Sequence, residues 1–239
     1  MEEYAIVPPK AATVETGIPS NLPDIPFRLC IYGASSSGKG VLINNLIGSK
    51  KFPYKKVFGK NIFIFSETIS LGDTSFADID LPEDRVIKGY DEHVLMQIWT
   101  DQDKIISKWG KPKAPHILFL FDDTVTSISL SPHSLLNRLF FQGRHSKIST
   151  CITSQHYGSI PKSVRLNASA AIVFECNKKQ ALMMGEEQVA DPQDFAQILK
   201  QATAEPYSFL VIMYKSPVAR RYQLRFTGRF FEIDDQKNE

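Results

Sequence analysis

The feature that most constrains the fold of this chain is an octapeptide with the sequence Gly33-Ala34-Ser35-Ser36-Ser37-Gly38-Lys39-Gly40. It follows a short apolar run and precedes a helical pattern that starts at Val41. The glycines at both ends let the backbone turn so that successive N–H groups point at one anion, and Lys39 adds a mobile cation. A loop of this kind between a strand and a helix predicts phosphate binding by residues 33–41.

One position departs from the usual phosphate-binding loop. The lysine is normally followed by Ser or Thr, whose hydroxyl binds Mg²⁺, whereas this chain has Gly40. We expect a water molecule to replace that ligand, with nucleotide binding retained. The alternative is a strand-to-helix turn with a chance lysine, which the spacing of both glycines disfavours.

Short apolar runs alternate with helical patterns from residue 28 onward. This alternation predicts an α/β fold in which helices flank a mostly parallel central sheet. The predicted strands are 28–32, 61–65, 116–121, 149–153 and 170–174, with two more near 207–214 and 221–227. The predicted helices are 38–48, 91–109, 133–142, 178–186 and 192–203.

The first 27 residues differ in texture from the rest. They contain Pro8, Pro9, Pro19, Pro23 and Pro26 and show little periodicity. Because proline fixes φ and lacks an N–H, we expect an extended arm that packs either on its own core or on a neighbouring subunit. Residues 28–239 are then expected to form a single domain.

An apolar run at residues 116–121 ends in two carboxylates, Asp122 and Asp123. Functional groups gather at the carboxyl ends of parallel strands, the edge at which Lys39 is also expected. We therefore predict that Asp122 holds Mg²⁺ and that Asp123 orients the attacking water. The alternative is an Asp-rich turn after a strand, which is common.

A third cluster surrounds the predicted strand at 149–153, which ends in Ser154-Gln155. The amide of Gln155 can donate to a phosphate and accept from water, so it is a candidate contact for both. Three arginines lie nearby, and an arginine supplied by a neighbouring subunit could stabilise the transferring phosphoryl group. Arg144 is the first candidate for that role, Arg165 the second and Arg138 the third, with surface ion pairs as the alternative.

Net charge is +2, which is too small to indicate nucleic-acid binding by itself. Basic and apolar residues alternate over 221–226, which predicts a strand with one charged face that meets either DNA or solvent. The three cysteines have no metal-ligand spacing and are expected to be buried free thiols. No apolar run is long enough to predict a transmembrane helix.

In order along the chain come the phosphate loop, the Asp-Asp strand, Phe141-Gln142-Gly143-Arg144-His145, Thr153-Ser154-Gln155 and Ile160-Pro161-Lys162-Ser163-Val164-Arg165-Leu166-Asn167. Over residues 28–176 this order resembles the genome-packaging ATPases of large DNA viruses and virophages, within the FtsK–HerA superfamily of P-loop motors. Gly40 and Asp123 depart from the superfamily, which usually has Ser or Thr and Glu at these positions.

The resemblance implies a RecA-like core in which the Gln155 strand separates the phosphate-loop strand from the Asp-Asp strand. It also implies that residues 177–239 are the variable part of the domain. It also implies ATP and Mg²⁺ as cofactors and a homo-oligomeric ring, pentameric or hexameric, with ATP sites between subunits. Double-stranded DNA would pass through the ring at a capsid or membrane vertex. The protein would act in the host cytoplasm or viral factory, with the virion also open.

Three functions are weighed on these grounds. The first is an ATP-driven translocase that packages viral double-stranded DNA. The second is a P-loop kinase of small molecules, against which stands the lack of an arginine-dense lid segment. The third is a catalytically weakened nucleotide-binding scaffold of a virion, for which Gly40 is the only support.

Overall fold

The computed structural model of the protein describes residues 16–68, 76, 79–124, 134–188 and 191–231. The strands in these ranges are β1 (Arg28–Tyr32), β2 (Ile62–Ser66), β3 (Val86–Lys88), β4 (Ile117–Asp122), β5 (Ile148–Ser154), β6 (Ala170–Phe174), β7 (Phe209–Met213), β8 (Tyr222–Leu224) and β9 (Phe230–Phe231). The helices are α1 (Lys39–Gly48), α2 (Tyr54–Phe58), α3 (Glu92–Trp109), α4 (Leu135–Gln142), α5 (Lys162–Asn167), α6 (Lys178–Gln188) and α7 (Pro192–Ala202).

The strands form one sheet in the order β3-β2-β4-β5-β1-β6-β7-β8-β9. From β3 to β6 all neighbours are parallel, and from β6 to β9 they are antiparallel. The predicted α/β class with a mostly parallel sheet is therefore confirmed. The first strand in the chain lies in the middle of the sheet, between β5 and β6.

Helices cover both faces of the sheet, as the continuous apolar runs predict. Every residue of β2, β5 and β6 is buried. On one face, α1, α2 and the segment 22–27 pack over Leu120 and Ile172. On the other face, α3 to α7 pack over Phe119 and Phe121. The sheet therefore lies between two hydrophobic cores, and functional side chains can be placed at the ends of its strands.

The last third of the sheet departs from the prediction. The strand predicted over 221–227 ends at Leu224, because Arg225 adopts a φ of 50°, outside the strand region. Tyr222 and Gln223 are both fully buried, so the predicted alternation of a charged and an apolar face is wrong here. The short elements α2, α5, β3 and β9 have two to six residues, too few to show a period.

The described part of the arm packs on its own subunit. Leu22, Ile25 and Phe27 are buried in the core under α1 and α2. Asn21 ties this segment to the far end of the chain, since its side-chain amide donates to the Phe226 carbonyl at 2.6 Å. Residues 1–15 lie outside the described residues.

The cysteines behave as small apolar residues. Cys30 and Cys151 are buried, Cys176 is partly buried, and all three are free thiols. Burial raises the pKa of Cys30 to about 12 and that of Cys176 to about 11, which keeps both protonated and unreactive. Among the described residues no helix has the length and apolarity to cross a bilayer.

Candidate nucleotide-binding site

Three neighbouring strands end together at one edge of the sheet. Because β4, β5 and β1 are parallel, Asp122, Ser154 and Tyr32 lie at the same end of their strands. The Gly33 N–H donates to the Ser154 carbonyl at 3.1 Å and so joins the phosphate loop to the Gln155 strand. We call this end of the sheet the carboxyl edge. The Gln155 strand does separate the other two, as the resemblance implies.

The loop after β1 has the backbone of an anion cradle. Gly38 adopts a φ of 105° as the cap of α1, and no side chain caps the helix. The first backbone bond of the helix runs from the Leu42 N–H to the Gly38 carbonyl at 2.9 Å, so the N–H groups of Lys39 to Val41 precede it. A helix start of this kind, with its dipole, is suited to a phosphate.

Gly33 could not be replaced without closing the cradle. A Cβ at this position would lie 2.4 Å from Ser37 Oγ and 2.9 Å from Phe174 Cβ. Ser37 Oγ is itself buried and has no hydrogen-bond partner among the described residues. A buried hydroxyl without a partner is costly, and a phosphate oxygen would supply the missing bond.

Lys39 is buried against its own loop. Its ammonium donates to the Gly33 carbonyl at 2.6 Å and to the Ala34 carbonyl at 3.0 Å. A lysine side chain rotates freely about its long stem, so the same ammonium can turn to a phosphate oxygen when one is present. The loop therefore holds the cation at the mouth of the cradle, where phosphate binding requires it.

A threonine hydroxyl joins the two acidic residues. Thr153 Oγ1 donates to Asp122 Oδ1 at 2.9 Å and accepts from the Asp123 N–H at 3.0 Å. The Asp123 carboxylate in turn accepts from the Gln155 side-chain amide at 3.2 Å. Asp123 has a φ of 47°, an unfavourable backbone conformation for a residue other than glycine, of the kind that clusters at functional sites.

These contacts bring the predicted residues Asp122, Asp123 and Gln155 together beside the phosphate loop. Thr153 was missed as a site residue, although it stands directly before Ser154-Gln155 and a hydroxyl at a strand end is a recognisable signal. The roles predicted for the four side chains at this edge, Lys39 included, stay predictions.

The acidic residues fit a magnesium ion that is held mainly by its substrate. No group of three or more His, Cys, Asp or Glu that could hold a metal occurs in the described part of the chain. Mg²⁺ at nucleotide sites takes one or two carboxylates and completes its shell with phosphates and water. Asp122 can supply the carboxylate, whereas Gly40 has no side chain that could bind the metal. The donor set matches a metal that arrives with the nucleotide.

Arg144 lies at the opposite end of the sheet. It is exposed on a 3-10 turn, Gly143–Ser146, just before the first residue of β5. Seven residues of strand separate this turn from Gln155, which is a distance of about 20 Å at the usual rise. An arginine side chain cannot span that distance, so Arg144 cannot reach the phosphate loop of its own subunit. We call this end of the sheet the amino edge.

Arg165 is committed within its own subunit. Its guanidinium forms a buried, two-point ion pair with Glu187 of α6 and donates to the Ile160 carbonyl. The Tyr157 hydroxyl donates to the same carboxylate at 2.7 Å. Burial alone would raise the pKa of Glu187, but the hydrogen bonds from Arg165 and Tyr157 outweigh it and hold that pKa below its usual value. These contacts support a structural role, and the predicted catalytic one stays untested.

Arg138, the third candidate, lies on α4 with its guanidinium 5.6 Å from the centre of the Trp99 ring. This is a cation–π contact on the face of α3, away from the carboxyl edge. Of the three arginines, only Arg144 is exposed without an ion pair or a ring contact in the described residues.

A phosphate loop on a parallel sheet, with a neighbouring acidic strand end and a glutamine between them, defines the class of P-loop ATPases. The chain belongs to the family described as Poxvirus A32 protein, whose model matches residues 19–223. The resemblance found in the motifs is thereby confirmed, and the small-molecule kinase loses support. No curated protein sequence matches the chain significantly.

Solved structures agree on the fold. The DNA-packaging ATPase B204 of Sulfolobus turreted icosahedral virus superposes with a TM-score of 0.61 at 15% identity, over 84% of this chain and 97% of that one. B204 from Sulfolobus turreted icosahedral virus 2, in complex with ATP-gammaS, gives 0.57 at 16% identity over the same shares. EssC from Geobacillus thermodenitrificans gives 0.55 at 13% identity, over 83% of this chain and 39% of that one.

Proposed function

We propose that this protein hydrolyses ATP to drive double-stranded DNA into a viral capsid. The observation that carries the proposal is the carboxyl edge, where the phosphate loop and the Asp122-Asp123 pair meet the Gln155 strand. The Poxvirus A32 family match and the shared fold with B204, a packaging ATPase, support the same function.

The chemistry assigned to this edge is the transfer of the γ-phosphoryl group to water. The N–H groups of Lys39 to Val41 and the Lys39 ammonium bind the phosphates. Asp123 orients the attacking water and accepts its proton, while the bond between the γ-phosphorus and the bridging oxygen breaks and ADP leaves. The Gln155 amide, which donates to Asp123 at 3.2 Å, fixes that carboxylate and contacts the γ-phosphate.

Mg²⁺ would neutralise charge on the phosphates when bound. Asp122 would hold it, with its own orientation fixed by the Thr153 hydroxyl at 2.9 Å. Since Gly40 offers no hydroxyl, water takes the position that Ser or Thr has in other loops of this class.

Arg144 is proposed to act on the ATP of a neighbouring subunit. The distance of about 20 Å along β5 excludes its own site, and a trans-acting arginine requires an oligomer. A closed homo-oligomeric ring, pentameric or hexameric, satisfies this requirement with one kind of interface. DNA would pass through the ring at a capsid or membrane vertex, in the host cytoplasm or viral factory or on the virion.

The test is steady-state ATP hydrolysis with Mg²⁺, with and without long linear duplex DNA. We expect duplex DNA to raise ATP turnover and single-stranded DNA of equal length to raise it less. Lys39→Ala should abolish ATP turnover. Asp123→Asn should keep ATP binding but lower turnover by about 10²-fold, the scale of a lost general base.

Two outcomes would contradict parts of the proposal. Turnover that duplex DNA leaves unchanged would remove the translocation step and leave an ATPase. ATP binding without any hydrolysis, equal in the parent protein and in Asp123→Asn, would favour the nucleotide-binding scaffold that Gly40 suggests.

A further inference from the structure

The turn between α7 and β7 presents an exposed tyrosine in a strained conformation. Tyr207 has a φ of 59°, in the left-handed region that residues with a bulky side chain rarely adopt. Its side chain is 72% exposed, so burial in the core does not explain its place in the turn. A glycine would fit this backbone better, which leaves the ring itself as the feature to be explained.

This ring lies beside the phosphate loop. A Cβ placed on Gly38 would be 3.4 Å from Tyr207 Cδ1 and 3.8 Å from Tyr207 Cβ, which is ordinary van der Waals contact. Gly38 caps α1 and directly precedes Lys39. Tyr207 is therefore a neighbour of the site proposed to hold the phosphates, on the side of the antiparallel strands.

The turn is fixed by contacts that do not involve the tyrosine ring. The Ser208 N–H donates to the Glu205 carbonyl at 3.1 Å, and Arg225 donates from Nε to Ser208 Oγ at 3.1 Å. The Arg225 guanidinium also pairs with Glu205 at 3.5 Å. Arg225 was predicted to face either DNA or solvent; its side chain is partly exposed and also fastens this turn to the end of β8.

A second exposed apolar side chain adjoins the phosphate loop. Val41, in the first turn of α1, is 68% exposed. It and Tyr207 are the two most exposed large hydrophobic side chains of the described residues, and the N-terminus of α1 lies next to both. Both side chains are therefore available for contact with a ligand bound at this terminus.

A nucleotide has an apolar part that would fit here. With its phosphates at the N-terminus of α1, a nucleotide would have its ribose and base just outside the loop, and Tyr207 and Val41 are exposed apolar groups that adjoin that terminus. Purine rings stack on aromatic side chains, and every base offers a π-face for such a contact. A tyrosine ring offers a flat apolar surface to that face, and a valine offers an apolar contact beside it.

We propose that Tyr207 stacks on the base of the bound nucleotide and that Val41 contacts the same base and its ribose. The inference rests on the proposed ATP hydrolysis at the Gly33–Gly40 loop and names a further part of that site. Because stacking reads no hydrogen-bond pattern, these two side chains give affinity and little choice between ATP and GTP.

The experiment compares binding of ATP with binding of inorganic tripolyphosphate, which has no base, by titration calorimetry on the full chain with Mg²⁺. Tyr207→Gly should weaken ATP binding by about 10-fold, the usual scale of one lost stacking contact, and leave tripolyphosphate binding unchanged. Tyr207→Phe keeps the ring and should bind ATP as the parent does. Trp109→Ala removes an exposed aromatic residue far along α3 and serves as the matched control.

One further variant and one further measurement test for a change in the turn itself. Tyr207→Asn tolerates a positive φ and should lose ATP affinity as Tyr207→Gly does. Tyr207→Gly should also unfold at a temperature no lower than the parent, since glycine relieves the strain. Loss of ATP affinity together with equal loss of tripolyphosphate affinity would show a damaged loop and overturn the base contact.

The outcomes also separate this inference from the proposed function. A parent protein that binds tripolyphosphate as tightly as ATP, or a Tyr207→Gly variant with full ATP affinity, overturns the base contact and leaves the ATPase intact. A parent protein that binds neither ligand overturns both.

Discussion

The two ends of the central strands differ in how their charges are arranged. At the carboxyl edge, Lys39, Asp122 and Asp123 each have hydrogen-bond partners within the subunit. The carboxyl edge thus combines one cation with two carboxylates, whereas at the amino edge three cations, Arg28, Arg144 and Lys215, lie close enough to influence one another, with Asp24 acting on Lys215 in the opposite sense. Burial and then the neighbouring arginines lower the pKa of Lys215.

This difference indicates that the charges of the carboxyl edge are balanced within one subunit, whereas those of the amino edge are not. Three neighbouring cations repel one another even with Asp24 nearby, and an anion from outside would relieve that repulsion. The carboxyl edge is built to hold such an anion, the triphosphate. In a head-to-tail ring the amino edge of one subunit can meet the nucleotide of the next, which is the arrangement proposed for Arg144.

Arg144→Ala is the most direct test of the difference between the two edges. We expect turnover to fall by about 10³-fold, the lower end for a trans-acting arginine, and ATP affinity to stay within about twofold. The control is Arg229→Ala, an exposed arginine outside both edges. Hydrolysis and binding are measured separately, and a loss confined to binding would contradict the assignment.

A mixing experiment tests whether Arg144 acts in the site of a neighbouring subunit. Subunits with Arg144→Ala keep an intact phosphate loop, and subunits with Lys39→Ala keep an intact amino edge. If sites are shared, mixed rings contain some complete sites, and the mixture should hydrolyse ATP faster than either variant alone. Activity equal to the sum of the two inactive proteins would argue against sharing.

The two arginines should also differ in stability. Arg165→Ala removes the cation from the largely buried Glu187 carboxylate and leaves only the Tyr157 hydroxyl of its described side-chain partners, so we expect the free energy of unfolding to fall by about 3 kcal/mol. Arg144→Ala, at the surface, should change it by less than about 0.5 kcal/mol. Urea denaturation measures both.

A double variant tests the reason for that loss. Replacing Arg165 and Glu187 together by Met removes both charges and should recover part of the lost stability. Equal stability losses in Arg165→Ala and Arg144→Ala would contradict the structural role of Arg165.

The smallest expected effect is a pH dependence at the amino edge. Burial, followed by the positive charge of Lys147, lowers the pKa of His116 from 6.5 to about 4, with Lys111 adding to the shift and Asp24 opposing it. A folded-state pKa below the unfolded one stabilises the protein above pH 6.5, and this contribution is lost as the pH falls from 6.5 towards 4. Denaturation at pH 7 and pH 5 should show a smaller loss for His116→Gln than for the parent.

The central sheet could be predicted because buried parallel strands are continuous apolar runs, and β1, β2, β4, β5 and β6 each match a predicted run to within one residue at either end. The antiparallel strands β7 to β9 could not be oriented, since pairing direction depends on contacts between distant segments. The strand predicted over 221–227 ends early because the chain turns after Leu224, whose carbonyl accepts from the Thr227 N–H at 3.2 Å, and Arg225 takes a positive φ in that turn.

The site also contains residues that could be predicted from the sequence and one that could not. The phosphate loop, Asp122-Asp123 and Gln155 follow strands directly, so their meeting at one edge follows from a parallel sheet. Tyr207 is far from every motif and reaches Gly38 only because β7 runs antiparallel to β6 and begins where β6 ends. No local pattern around Glu205-Pro206-Tyr207 distinguishes this tyrosine from one in an ordinary surface turn.

The central position of β1 has a consequence for the order in which the chain can fold. Its partners, β5 and β6, begin at residues 148 and 170, more than 100 residues later. A chain emerging from the ribosome therefore carries an unpaired apolar strand and its attached loop until most of the sheet has been made. Pairings of such long range form slowly, and exposed strand edges are prone to aggregate while they wait. The nucleotide cradle, although encoded early, is among the late structures to be completed.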